Sequence, residues 1–207
     1  LNSDTYATDG KNALTLNQAA ALILVGTNSL TGGKGGVNSG MAHVSAYDGG
    51  AGIRGNVTIS GTGSLTATGG DGHYGASSTG GTGGNGISGA VTLSGGVLTA
   101  NGGNGGGVLL DGNGGPGGTG ISGAVTISAG TLTAVGGNGG EGDYENGADG
   151  KAFGSTLTAG PGAALVIKAG ADTTSAAEVA AYGNEKYAQV TVEEGYTVSF
   201  DANGGTG

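Results

Sequence analysis

Cysteine is absent from the 207 residues, so no disulfide can form and no thiol can act as nucleophile or metal ligand. Basic residues are scarce: 6 Lys and Arg stand against 15 Asp and Glu, a formal net charge of −9. Nucleic acid needs clustered cations and is excluded as a partner; anionic membrane surfaces are disfavoured for the same reason, and acidic polysaccharides meet long-range repulsion. Aromatics make up 4% of the chain, with no Trp, so any core must be built from Val, Ile, Leu and Ala. No long hydrophobic run exists. The longest, AAALILV from Ala19 to Val25, is far short of the roughly 20 residues a membrane span needs, so no membrane insertion is expected. It does not read as a signal peptide either, since no basic region precedes it. Proline is nearly missing too, with 2 residues, and collagen, which needs abundant Pro and strict every-third Gly, is excluded.

What the chain has is glycine, 54 residues of it, and repetition. GISGAVTLSGGVLTANGGNGG starts at Gly86, and GISGAVTISAGTLTAVGGNGG starts at Gly120. Ile53, Ile87 and Ile121 follow one another at equal intervals, each leading into an alternating segment: NVTIS at Asn56, AVTLS at Ala90, AVTIS at Ala124. A second segment follows: SLTAT at Ser64, VLTAN at Val97, TLTAV at Thr131. Then comes a corner, GGDG at Gly69 and GGNG at Gly102 and Gly136. A degenerate earlier copy begins at Ala21, with Leu22 and Leu24 in the places of Val57 and Ile59, and Leu30 in that of Leu65; a later copy begins near Phe153.

Period-two alternation puts Val57 and Ile59 on one face and Thr58 on the other. A unit this small cannot bury its own apolar face, but stacked copies can. The pattern therefore predicts an all-β fold, a parallel, right-handed β-solenoid (β-helix) of about five coils with long Gly-rich loops. The solenoid is expected over 1–186, with repeats near 21–52, 53–86, 87–120, 121–152 and 153–170, and a terminal strand segment over 187–207. That last segment would cap the final coil, donate a strand to another copy, or begin a following repeat. Corner glycines are expected to supply left-handed backbone. Asp71, Asn104 and Asn138 share one corner position, where Asx side chains bond locally or tolerate that backbone. The loops, roughly 36–51, 73–85, 106–119 and 140–151, are expected to stack along one side.

The segment GAGIRGNVTISGTGSLTATGGDG resembles the glycine-rich β-helix regions of adhesin-like, carbohydrate-binding-domain surface proteins of Gram-positive gut bacteria. AGADTTSAAEVAAYGNEKYAQVTV resembles the closing part of such regions, and YTVSFDANGGTG resembles the opening strand of an internalin-type B-repeat. The resemblance implies an extracellular module at the bacterial cell surface, with a glycan or host surface protein as partner and no catalytic residues to carry over.

Catalysis is not expected. His43 and His73 fall in different loops, no Ser-His-Asp arrangement is indicated, and Arg54 stands alone where the sister repeats carry Ser88 and Ser122. A polysaccharide-active β-helix enzyme remains the lesser alternative. No cofactor is expected except Ca²⁺: Glu141, Asp143, Glu145 and Asp149 offer hard oxygen ligands within one loop, though the loop reads first as a solvated acidic turn and calcium comes second to that. Tyr47, Tyr74 and Tyr144 each sit in a different loop beside a carboxylate, Asp48, Asp71 and Asp143. With His73 these are the candidate glycan-binding residues, a ring for the sugar's C–H face and acceptors for its hydroxyls. The alternative is that the rings staple loops to the solenoid. A structural reading stands beside adhesion: open coil ends would let copies of the chain stack into an extracellular fibre.

Overall fold

The computed structural model describes residues 9–36, 46–75 and 79–193. The chain is all-β, with no helix among the described residues, and parallel coils stack into a β-solenoid of about four turns. The first coil holds β1 (Leu14–Thr15), β2 (Ala20–Leu24) and β3 (Thr27–Thr31); the second, β4 (Ile53–Arg54), β5 (Val57–Gly61) and β6 (Ser64–Thr68). In the third, β7 (Ile87–Ser88) leads into the long bent β8 (Val91–Asn101). The fourth carries β9 (Val125–Val135) behind a bridge at Ile121.

The 34-residue repeat is the register. Val57 pairs Val91 and Val91 pairs Val125; Leu65, Leu98 and Leu132 align likewise, as do the Thr rows 58–92–126 and 66–99–133. Each of these inward residues thus lies on its own kind, and the other inward positions on a similar apolar residue, about 4.8 Å away. Ile53, Ile87, Ile121 and Phe153 form one stack and are almost fully buried, with Ile59, Leu93 and Ile127 forming another. Burying each such side chain contributes about 1.5–3 kcal/mol relative to exposure. Between the second and third sides of each coil the chain bends at Gly61, Gly96 and Gly130, where φ is +99°, +77° and +94°. These are the glycines that left-handed backbone requires.

The first coil differs from its expected form. It begins before Ala21, because Leu14 pairs Ile53 and both Leu14 and Leu16 pack on the core. Ala20 pairs Val57, Leu22 pairs Ile59, and Leu30 pairs Ala67, a register two residues from the expected one. A two-residue shift keeps every side chain on its face, so alternation alone cannot tell the two registers apart.

The fifth copy starts and stops. Phe153 bridges Ile121, and β10 (Leu157–Ala159) pairs the first half of β9 in parallel. After Gly162, at φ +74°, the chain turns into an antiparallel meander: β11 (Ala164–Gly170), β12 (Ala177–Val179) and β13 (Tyr187–Glu193). β13 pairs antiparallel with the second half of β9, Val190 opposite Leu132. The terminal strand therefore caps its own last coil; the part of 187–207 beyond Glu193 lies outside the described residues. TTSAAEVAAYG, the only stretch with any helical character in the sequence, forms turns and β12 instead.

The glycine-rich segments are not irregular loops. In each coil an outbound arm (69–75, 102–108, 136–142) and a return arm (80–86, 114–120, 147–152) run side by side and stack on the arms of the next coil. Their backbone bonds recur every third residue. Within a layer, Gly69, Gly72 and Gly75 donate to the carbonyls of Asn101, Asn104 and Gly107 at 2.8–2.9 Å. Between layers, Gly84 donates to Gly70, Gly103 to Gly84, Gly118 to Gly103 and Gly137 to Gly118, at 2.7–2.8 Å. A second zigzag runs three residues further out, from Tyr47 through His73, Gly81, Gly106, Gly115 and Gly140 to Gly147. Period three is that of the extended polyproline-II type helix, which makes no bonds within itself and must find partners in its neighbours.

None of these arm glycines has a positive φ, so their role is space rather than the left-handed backbone expected of the corners. A Cβ on Gly70, Gly103, Gly118 or Gly137 would collide with a carbonyl of the neighbouring arm. Only the third residue of each turn faces out. Its N–H has no backbone partner, and an Asx side chain one coil away supplies one. Asp71 accepts from Asn104 N (3.0 Å), Asn104 from Asn138 N (2.9 Å), Asp48 from Thr82 N (2.7 Å) and Asn85 from Thr119 N (2.9 Å). Thr82 offers no such carbonyl or carboxylate oxygen, and the next residue in its row is Pro116, which has no N–H to satisfy. The equivalent Asx corner thus bonds between coils, not locally.

Candidate functional site

The ordered arms decide where the candidate residues lie. Asp71, His73 and Tyr74 share one depression of about 460 Å³ on the flank of the glycine bundle, with Lys34, Asn104 and bare backbone at Gly35, Gly72, Gly105 and Gly106. The Tyr74 ring lies against Gly107 of the next coil, where a Cβ would stand 2.8 Å from Cε1, and remains 60% exposed. His73 meets it edge-on, with centroids 6.3 Å apart at 82°. His73 Nδ1 is 2.9 Å from the Tyr74 carbonyl oxygen. A carbonyl can only accept, so Nδ1 is the donor in this pair, and the Nδ1–H tautomer leaves Nε2 as an acceptor.

Asp71 is held at two points. It accepts from Asn104 N, and Lys34 Nζ stands 3.0 Å from its Oδ2. Partial burial works to raise its pKa, but the Asn104 hydrogen bond and the Lys34 ammonium outweigh that and hold it below the ordinary carboxylate value. Lys34 and Asn104 are additions that the sequence reading did not single out for the site. Their signal was present, because GGKG at Gly32 occupies the corner that GGDG and GGNG occupy later.

The other candidates are placed elsewhere. Asp48 lies in a separate depression of about 290 Å³ with Asn12, Arg54, Thr82, Asn85 and Ser88, and its Oδ1 is engaged by Thr82 N. Tyr47 is half-buried and its carbonyl accepts from His73 N. Asp143 accepts from Asp111 N at 2.8 Å, and Tyr144 is 70% exposed at the far end of the arms. His43 lies outside the described residues. Of the four carboxylates expected around calcium, Asp149 is engaged elsewhere: its Oδ1 accepts from Gly139 N and its Oδ2 pairs Lys186 at 2.9 Å. Among the described residues, no group of three or more His, Asp or Glu side chains could hold a metal ion.

Lys186 closes the bundle. Its carbonyl accepts from Gly136 N, and its Nζ reaches both Asn138 Oδ1 and Asp149 Oδ2. A further depression, about 620 Å³, opens where the interrupted fifth coil parts from the meander. Phe153, Leu157, Leu165, Ile167 and Tyr182 line it, and no charged side chain does, so it offers no acid or base beyond a phenol whose pKa burial pushes up.

The engaged carboxylates set an acid limit. The Lys186 ammonium and the Gly139 N–H hold Asp149 low against the opposing effect of burial, and Asp71 is held low as described. Their folded pKa values lie below the unfolded one, near 3.9. Their stabilisation is therefore complete above about pH 5 and is lost as pH falls through the folded values. Thermal melting followed by circular dichroism should be flat from neutrality to about pH 5 and fall below about pH 4. Lys186→Met should shrink the acid-induced loss; an unchanged acid profile would remove Asp149 from the account.

Compared with family models, curated proteins and solved structures, the chain finds no match in any of the three.

Proposed function

We propose that the chain is a non-catalytic, extracellular module of a bacterial surface protein, adhesive in function, with a neutral glycan bound in the depression around Tyr74. The observation that carries this reading is the Tyr74 ring itself. It is seated on Gly107, largely open to solvent, and has Asp71 and His73 beside it. An aromatic face accepts the C–H surface of a hexose, while a carboxylate and an imidazole nitrogen accept its hydroxyls. The bare glycine backbone on the floor lets a flat ligand approach closely. Non-catalysis is supported by the use of the carboxylates: Asp48, Asp71, Asp143 and Asp149 all accept backbone N–H groups, so none is positioned as a lone acid or base. A surface location and a bacterial source rest on the resemblance of the sequence.

An array of mucin-type and plant oligosaccharides tests the reading. A neutral oligosaccharide should bind, and Tyr74→Ala should weaken it at least about tenfold, which is about 1.4 kcal/mol. The melting temperature should not change, because the ring is exposed. No binding at high micromolar protein, or full binding by Tyr74→Ala, overturns it.

A further inference from the structure

The far ends of the arms carry a second surface that the glycan reading leaves unused. Leu109 and Leu110 are 68% and 66% exposed, and Tyr144 is exposed beside them. Their turns are joined: Asp111 N donates to Asp143 Oδ2 at 2.8 Å, Asp143 N and Tyr144 N donate to the Gly112 carbonyl at 2.9 and 3.2 Å, and Val108 N donates to the Glu141 carbonyl at 3.0 Å. Asp111 is the one non-glycine residue with positive φ among the described residues, at +48°. Left-handed backbone at a non-glycine residue costs free energy, and such residues gather where a loop is shaped for contact. Here it turns the chain directly after the exposed leucine pair.

The same turns carry Asp111, Glu141, Asp143 and Glu145, with no Lys or Arg between Val108 and Gly114 or between Glu141 and Asn146. We propose that this tip docks a protein surface that presents cationic and apolar side chains together. The leucines would be covered by apolar groups, and the carboxylates around them would steer and orient the cations. Leucine offers a sugar neither a ring face nor a hydrogen bond, so the pair is not accounted for by a second glycan. The acidic rim repels lipid phosphates and acidic sugars. A second copy of this chain, at a net charge of −9, is repelled at long range.

The test uses the whole chain and labelled short peptides of alternating Lys and Leu, or alternating Glu and Leu, followed by fluorescence anisotropy. Any cation is drawn to so acidic a protein at low salt, so the decisive variant keeps the charge: Leu109→Ser with Leu110→Ser. The Lys–Leu peptide should bind and the Glu–Leu peptide should not. The double serine variant should lose at least about tenfold in affinity with its melting temperature unchanged, as expected for apolar anchors at the centre of a contact. Glu141→Gln with Glu145→Gln should flatten the dependence on salt between about 50 and 300 mM. Equal binding of both peptides, or wild-type binding by the double serine variant, overturns the proposal. So does an oligosaccharide whose binding requires Leu109 and Leu110, which would assign the tip to glycan instead.

Discussion

Gly118→Ala is expected to destabilise the protein by about 3 kcal/mol or more, lowering the melting temperature by about 10 °C, although alanine is smaller than almost any residue it could receive. Gly118 sits inside the bundle. Its N–H donates to Gly103, its carbonyl accepts from Gly137, and a Cβ would collide with the carbonyl of Gly84. The obstacle is backbone, not a side chain that could swing away, so two arms must separate and the bonds between them stretch. Its φ is not positive, so alanine's own conformational preference is not at issue. Thr119→Ala, one residue on and facing outward, should change stability by less than about 0.5 kcal/mol. Differential scanning calorimetry of the two variants separates the cases. Equal effects would mean that the arms do not pack as described.

Phe153→Ala is expected to cost about 3–5 kcal/mol, the usual range for deleting a buried aromatic ring. Phe153 ends the Ile53–Ile87–Ile121 stack and is 1% exposed. Its ring also meets Tyr182 at 4.9 Å and 74°, and Tyr182 Oη donates to the Glu185 carbonyl at 2.7 Å. The residue thus joins the solenoid to the meander that caps it. The loss should be accompanied by faster proteolysis between Gly160 and Glu185, where the cap would loosen before the coils do. Limited proteolysis with mass mapping checks this. A destabilised variant cut first elsewhere would place the weak point outside the cap.

The stacking of coils could be read from the sequence because identical residues recur at a fixed interval. Ile53, Ile87 and Ile121 needed no other information to be aligned, and the registers of β5, β8 and β9 followed from Val57, Val91 and Val125. The first coil was harder. Ala20, Asn28 and Leu30 depart from the consensus, and a shift by two preserves alternation, so its true start at Leu14 was hidden. The arms were harder still, since strand periodicity has no meaning in a segment of glycines. Their own signal is period three: GGTGGNG at Gly80 and GGPGGTG at Gly114 place a side chain at every third residue and nowhere else. For the site, Tyr74 and Asp71 were legible as ring and carboxylate in one loop. That Asp48 and Asp143 fall in different places depends on which way each residue of a threefold helix points, and counting from the aromatic residues does not reveal it.

The threefold bundle also bears on how such a gene can change length. One added codon in an arm would turn every later residue by a third of a revolution and drive its side chain into the packed interior. Three added codons preserve phase and lengthen the arm by about 9 Å, at about 3.1 Å per residue. Insertions and deletions tolerated in this region should therefore come as Gly-Gly-X units, matched between outbound and return arms. The coils would keep their register throughout, so the distance at which the tip is held from the solenoid could drift under selection in discrete steps while the hydrophobic core stayed unaltered.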